Sequence, residues 1–292
     1  MIRLFSACLA IAALGVGQPL RAEVPLTIAT SGHATVPVEI EGIGVFAFVL
    51  DTGAEGSALY SPFEAVHGLP LHAEATELQG QTGSAPVRLA SLPPLTVDGM
   101  RAENVTAVVL EPRADGVPLP GIIGLDVFGS VALDFDLPRG RAQLRPSGSR
   151  FAGLDADSAV AAATTTGGLL TFPVAIAGVE AVAVLDTGAR KTRINWRLGR
   201  ILGLDAASLE RGDIIQGATN TAVVTSEATV RQVRFGGVLL ESAPVLVADL
   251  PIFEVFGVAD RPAVIFGMDW LTDTRLVVDF PERRIWFSQY GG

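Results

Sequence analysis

Two carboxylates in matching surroundings are the residues of this chain best placed to do chemistry. Asp51-Thr52-Gly53-Ala54 follows the apolar run 45–50, and Asp186-Thr187-Gly188-Ala189 follows the apolar run 181–185. One Asp-Thr-Gly reads as a turn, because Asp and Gly both favour turns. Two copies in the same context, one in each half of the chain, read as partners in one site. Carboxylates brought within a hydrogen bond cannot both ionise cheaply, so the pair holds a single proton over a broad pH range. The charged member can take a proton from water while the protonated member donates to a carbonyl oxygen. Water then attacks an amide without a covalent enzyme intermediate. Gly53 and Gly188 let the backbone approach closely. The Thr52 and Thr187 hydroxyls are candidates to lock the two corners together across a pseudo-two-fold axis.

The elements that must carry these corners repeat as well. A strand at 36–40, a tight turn at 41–44 and a strand at 45–50 lead into Asp51; a strand at 172–176, the turn Ala177-Gly178 and the run 181–185 lead into Asp186. Gln79-Gly80-Gln81-Thr82 matches Gln216-Gly217-Ala218-Thr219, and 121–128 matches 264–271. From there the two halves align without a gap, with Asp136 on Asp279, Pro138 on Pro281 and Arg141 on Arg284. Short strands separated by Gly and Pro turns predict an all-β fold, with helix confined to pieces such as 61–66 and 126–128. A duplication covering nearly the whole chain predicts two lobes facing each other. They are an N-terminal lobe 23–146 and a C-terminal lobe 169–292, joined by a low-complexity linker 147–168 that folds partly against them. The small polar tips Gly80, Gln81, Thr82 and Gly217, Ala218, Thr219 fall where a mobile flap over the cleft belongs; an ordinary surface hairpin is the competing reading. Asp126, Asp269, Asp136 and Asp279 read as helix-capping and turn-bonding residues. Asp136 is matched with Arg141, and Asp279 with Arg284, as pairs across a hairpin.

On these motifs the chain resembles the aspartic peptidases, in their retropepsin-like branch. The Asp-Thr-Gly-Ala corners, followed by Ser57-Ala58-Leu59 or Thr192-Arg193-Ile194, look like that family's first motif. Ile122-Ile123-Gly124 and Ile265-Phe266-Gly267 look like its second, and 265–271 with 277–280 is similar to bacterial aspartyl-protease domains. The likeness spans roughly 24–287, the linker excepted. It implies two pseudo-symmetric β-barrel lobes with a cleft between them, hydrolysis of peptide bonds by a water that Asp51 and Asp186 activate, a flap over the cleft, and a peptide or protein substrate. Both lobes lie in one chain, which implies a working monomer. The chain also departs from the pattern. Leu125 and Met268 follow the second-motif Gly where retroviral enzymes carry Arg, and Arg190-Lys191 stands where an acidic pair is usual. Ala54 and Ala189 stand where pepsin-like enzymes carry Ser or Thr. Loss of that hydroxyl donor implies a pH optimum nearer neutrality than theirs. A non-catalytic peptide-binding protein on the same fold is the alternative.

Composition narrows the remaining classes. A net charge of -10 argues against nucleic-acid partners, since little here would neutralise phosphates. His33, His67 and His72 show no metal-ligand spacing and read as surface residues, so neither a metal nor a cofactor is expected. The only cysteine is Cys8, which leaves no disulfide and no thiolate nucleophile beyond the leader. Met1-Ile2-Arg3, the apolar stretch 4–16 and the segment 18–22 read as a signal peptide over 1–22, cleaved near Ala22. The expected product is soluble after cleavage and exported, either periplasmic or secreted.

Overall fold

The computed structural model describes residues 23–216 and 221–290. Residues 1–22 and the three candidate flap residues Gly217, Ala218 and Thr219 lie outside the described residues. What is described is mostly β, in two lobes built alike.

Each lobe starts from period-two alternation. In the strand Ala34–Ile40, Val36, Val38 and Ile40 are buried while Glu39 is exposed, so one face enters the core. It pairs antiparallel with Gly44–Leu50, and the hairpin delivers Asp51. Leu170–Ile176 and Val179–Leu185 do the same for Asp186. In the second lobe those two strands join Ala263–Phe266, Arg193–Ile194, Val238–Val247 and Ala222–Phe235. The last returns to Leu170–Ile176 through the pairs Ala175↔Arg234 and Ile176↔Val233, closing a six-stranded barrel. The first lobe uses the same order, but its counterpart of the 14-residue strand Ala222–Phe235 is split into Gly83–Ser91 and Leu95–Val97. Pro93-Pro94 accounts for the split, because proline brings no N–H to a ladder. The barrel still closes, with Leu95–Val97 pairing onto Ala34–Ile40.

A six-stranded sheet ties the lobes together. Ala132–Asp136 and Thr274–Asp279 pair antiparallel at its centre. Ala132 pairs with Asp279 and Asp136 with Arg275. The repeat superposes Asp136 on Asp279 and Ala132 on Arg275, so these pairings exchange under a two-fold passing between Asp134 and Val277. The symmetry continues outward. Val24–Pro25 lies on Arg141–Arg145, and Val160–Ala161, from within the stretch 147–168, lies on Arg284–Gln289 in the equivalent place. Ala163–Thr164 then pairs with Leu170–Ile176 as Thr27–Ile28 pairs with Ala34–Ile40. That stretch therefore contributes to the repeated unit itself.

One apolar core runs through both lobes and this sheet, including Phe48, Phe128, Phe135, Phe172, Phe266 and Trp270. Phe266 packs edge-on against Phe172, Phe235 and Trp270 at centroid distances of 5.3, 4.8 and 5.5 Å. The helices Ser61–His67 and Leu125–Phe128 fall close to the expected pieces; Trp196–Ile201 and Ile252–Val255 are additional. His33 and His67 are half-buried rather than surface residues. His67 packs against Phe46 and Phe63, which cover the imidazole.

Of the two expected pairs across a hairpin, Asp136–Arg141 forms and Asp279–Arg284 does not. Asp136 accepts from Arg141 Nε at 2.9 Å, from Arg139 N at 3.3 Å and from Tyr290 Oη at 2.8 Å. Asp279 instead accepts from Ser147 Oγ, Gly148 N and Glu282 N, while Arg284 turns to Glu282. The expected Asp279–Arg284 pair is replaced by these bonds, because Ser147, Gly148 and Glu282 occupy both carboxylate oxygens.

Asp134 forms the ion pair that crosses between lobes. Arg275 Nε and Nη2 donate to Asp134 Oδ1 and Oδ2 at 2.8 and 2.6 Å, with both side chains about nine-tenths buried. Breaking one side strands a buried charge, whereas replacing both partners with apolar groups does not. Arg275→Met is expected to cost about 3–5 kcal/mol. The double variant Asp134→Val/Arg275→Met should recover most of that, and urea unfolding of both variants checks it.

Candidate active site

The two Asp-Thr-Gly corners meet at the pseudo-two-fold. Thr52 N donates to Thr187 Oγ1 and Thr187 N donates to Thr52 Oγ1, each at 3.0 Å. Thr52 Oγ1 donates to the Leu185 carbonyl at 3.1 Å, and Thr187 Oγ1 to the Leu50 carbonyl at 2.7 Å. Each hydroxyl therefore uses both a donor and an acceptor on the opposite lobe, and both threonines are essentially inaccessible. The sequence singled out these hydroxyls, and the structure brings them together.

The glycines are required by the opposite carboxyl. A Cβ on Gly53 would lie 2.5 Å from Asp186 Cγ, and a Cβ on Gly188 would lie 2.6 Å from Asp51 Oδ1. Each glycine thus leaves room for the other lobe's acid. The second-motif glycines do a similar job one layer back. A Cβ on Gly124 would lie 2.6 Å from the Gly56 carbonyl oxygen, and one on Gly267 would lie 2.9 Å from that of Ala189. At that crossing Leu125 N donates to Ala54 O and Met268 N to Ala189 O, both at 2.9 Å. Asp51 N and Asp186 N are held by the carbonyls of Ile123 and Phe266, each at 3.1 Å.

Behind each corner lies a support that sequence reasoning missed. Ser57 Oγ donates to Asp126 Oδ1 at 2.8 Å and accepts from Gly124 N at 3.2 Å. Thr192 Oγ1 donates to Asp269 Oδ1 at 2.7 Å and accepts from Gly267 N at 3.0 Å. Asp126 and Asp269 therefore brace the loops from within the first turn of the short helices Leu125–Phe128 and Met268–Leu271, whose N-caps are Gly124 and Gly267 without side-chain bonds. The signal was in the sequence: a hydroxyl stands six residues after each Asp of the pair, and an acid stands two residues after each second-motif glycine.

The two carboxyls share a hydrogen bond, and Gly53 N and Ala189 N donate to their Oδ1 atoms at 2.7 and 2.8 Å. Burial first, and then the charge of Asp186, push Asp51 well above the usual carboxylate range. Burial also pushes Asp186 up, but the Arg193 guanidinium and the Ala189 N–H work against that. Both carboxyls are pushed up, so the pair holds a proton between them over a broad pH range.

The first-lobe hairpin Leu71–Gly80 and Gly83–Ser91 carries its tip to this pair. Gln81 Nε2 donates to Asp186 Oδ2 at 3.0 Å, Gly80 ends one strand beside it, and Thr82 is buried. On the first-lobe side Tyr60 Oη accepts from Arg113 Nη1 at 3.0 Å, and Arg113 is paired with Asp115. Neither Tyr60 nor Arg113 was singled out from the sequence, because their positions carry no repeated pattern. Among the described residues no cluster of three or more His, Asp or Glu side chains is placed to hold a metal ion.

A family profile described as aspartyl protease matches the chain twice, over residues 36–127 and 172–270. The chain belongs to the aspartyl protease family. Each match covers one lobe with its Asp-Thr-Gly corner and its second motif, so the retropepsin-like likeness holds for both halves. No curated protein matches the chain.

A raised acid makes stability depend on pH with a definite sign. Below the ordinary carboxylate pKa both folded and unfolded chains hold the Asp51 proton. As pH rises toward the folded value the unfolded chain releases it first, and stability falls. Asparagine stays neutral throughout. Asp51→Asn is therefore expected to raise Tm at neutral pH, with the gain shrinking toward zero near pH 4, as scanning calorimetry across that range will show.

Proposed function

We propose that the chain is an aspartic endopeptidase. The observation that carries this reading is the pair of carboxyls, Asp51 and Asp186, sharing a hydrogen bond at the pseudo-two-fold, with Gln81 and the charge of Arg193 on the Asp186 side alone. That difference supports distinct roles. Asp186, charged, takes a proton from a water that attacks the substrate carbonyl carbon. Asp51 gives its proton to the carbonyl oxygen, producing a neutral diol. Asp186 then protonates the leaving nitrogen as the C–N bond breaks, and Asp51 recovers a proton from a diol hydroxyl. The first-lobe flap acts as a lid, and Gln81 must leave Asp186 Oδ2 for the water and substrate to enter.

The substrate class is a peptide or protein, supported by family membership. A monomer suffices, because one chain supplies both carboxyls. Export is supported by the leader 1–22, with its basic start and apolar stretch. Among the described residues no helix is long and apolar enough to cross a membrane.

Asp51→Asn and Asp186→Asn are each expected to abolish cleavage of a peptide library, read by mass spectrometry, while circular dichroism stays unchanged. Activity retained in either variant overturns the proposal. A wild-type chain that binds peptides and cleaves none favours the non-catalytic binding protein. In the active enzyme both limbs of the kcat/KM profile should lie above the ordinary carboxylate range, giving an optimum displaced toward neutrality. Gln81 donates to the charged form of Asp186, so Gln81→Ala should move the acid limb to higher pH. A pH–rate series on the two proteins decides this.

A further inference from the structure

The second-lobe corner is strongly cationic where the first is not. Arg190, Lys191 and Arg193 follow Asp186, whereas Glu55, Gly56 and Ala58 hold the same places after Asp51. Two of the three cations are accounted for. Arg190 Nη1 donates to the Ser31 carbonyl at 3.1 Å, and Lys191 Nζ pairs with Asp213 at 2.8 Å and Glu227 at 3.7 Å. Arg193 is different. Its Nε and Nη1 are buried and have no hydrogen-bond partner.

An unpaired buried guanidinium is costly and calls for an explanation. The strand register shows where it lies. Arg193 pairs with Ile265 on one side and Leu246 on the other, and Ile265 pairs with Val184. Paired residues share a sheet face. Its neighbour Ile194 enters the barrel core, so Arg193 takes the opposite face, with Val184, Ile265 and Leu246. Val184 is two residues before Asp186, and alternation puts both on this side of the strand. Arg193 acts electrostatically on Asp186 and on Asp269, but neither acid bonds it. Asp186 is taken by Ala189 N and Gln81, and Asp269 by Thr192. The field is felt across the cleft as well. Burial pushes His33 down to about 4, aided by Arg113, Arg190 and Arg193 against the opposing charge of Asp115.

We infer that Arg193 is a specificity-determining residue that binds a carboxylate of the substrate, an Asp or Glu side chain on the second-lobe side of the scissile bond. A carboxylate matches the charge and can accept from either free donor, and a charge-assisted bond in a buried place is strong and selective. The first-lobe equivalent, Ala58, sits in the matching row with Val49 and Ile122 and offers no such partner, so the preference is one-sided. This inference rests on the endopeptidase reading for its cleavage test, but not for its binding test.

The experiment uses a cleaved library peptide in which each residue flanking the scissile bond is varied between Asp and Asn. Wild type is expected to favour Asp over Asn at one position, on one side of the bond, by roughly ten- to a hundredfold in kcat/KM. In Arg193→Met that ratio should fall to about one, and Arg193→Lys should keep part of it. Thermal melts confirm that the variants are folded. A preference that survives Arg193→Met, or no position with a preference, overturns the inference. Should wild type cleave nothing, the same peptides are measured for binding to the intact chain by fluorescence anisotropy. Tighter binding of an Asp peptide that depends on Arg193 then supports the inference while the peptidase reading fails. Equal binding of Asp and Asn peptides overturns it.

Discussion

The structure depends on four hydrogen bonds that Thr52 and Thr187 make across the pseudo-two-fold, two between the threonines themselves and two from their hydroxyls to the carbonyls of Leu185 and Leu50. Each hydroxyl is satisfied as donor and acceptor by the opposite lobe's backbone, so neither corner is complete alone. A buried polar group left without its partner loses its hydration with nothing in return. That asymmetry makes the lobes' relative position definite at the scale of a hydrogen bond, rather than the looser fit that apolar packing alone provides. It is also what forces two acids together. Each Asp sits one residue before a grip threonine, and the glycine after that threonine faces the opposite carboxyl with no Cβ between.

Holding two carboxyls in a buried place works against stability, and the rest of the fold offsets that cost. The six-stranded sheet joins the lobes along Ala132–Asp136 and Thr274–Asp279, and the Asp134–Arg275 pair crosses the same seam. The core is continuous through both lobes. Ser57 with Asp126, and Thr192 with Asp269, then fix the loops against which each corner leans. The corners are thus gripped at the front and braced behind, which leaves the shared proton as the main freedom of the site.

The scaffold is symmetric and the charge on it is not. Arg193 stands where the first lobe has Ala58, and Gln81 at the tip of the first-lobe hairpin reaches Asp186. Both favour the ionised form of Asp186, whereas Ala58, in the place of Arg193, offers Asp51 no such charge. Two chemically identical side chains at equivalent positions therefore acquire different proton affinities. A duplicated fold makes two equivalent acids different in this way, by substitutions around the pair rather than within it.

The β class, the two-lobe duplication, the pairing of Asp51 with Asp186 and the partnership of the threonines are all legible in the chain's residues alone. These are legible because duplication writes each of them twice, and period-two burial is a local signal. The bracing hydroxyls were equally doubled, at Ser57 and Thr192, but their partners Asp126 and Asp269 lie far along the chain and resembled caps. Only the tertiary structure decided that Asp279 is taken by Ser147 and Gly148, that part of 147–168 belongs to the repeated unit, and that Arg193 is buried with donors unused. Each of those depends on which distant segment arrives first at a polar group, and no local spacing encodes it. The opening pair of Asp-Thr-Gly corners was thus readable as a pair, whereas the difference between its two acids is a property of the folded chain.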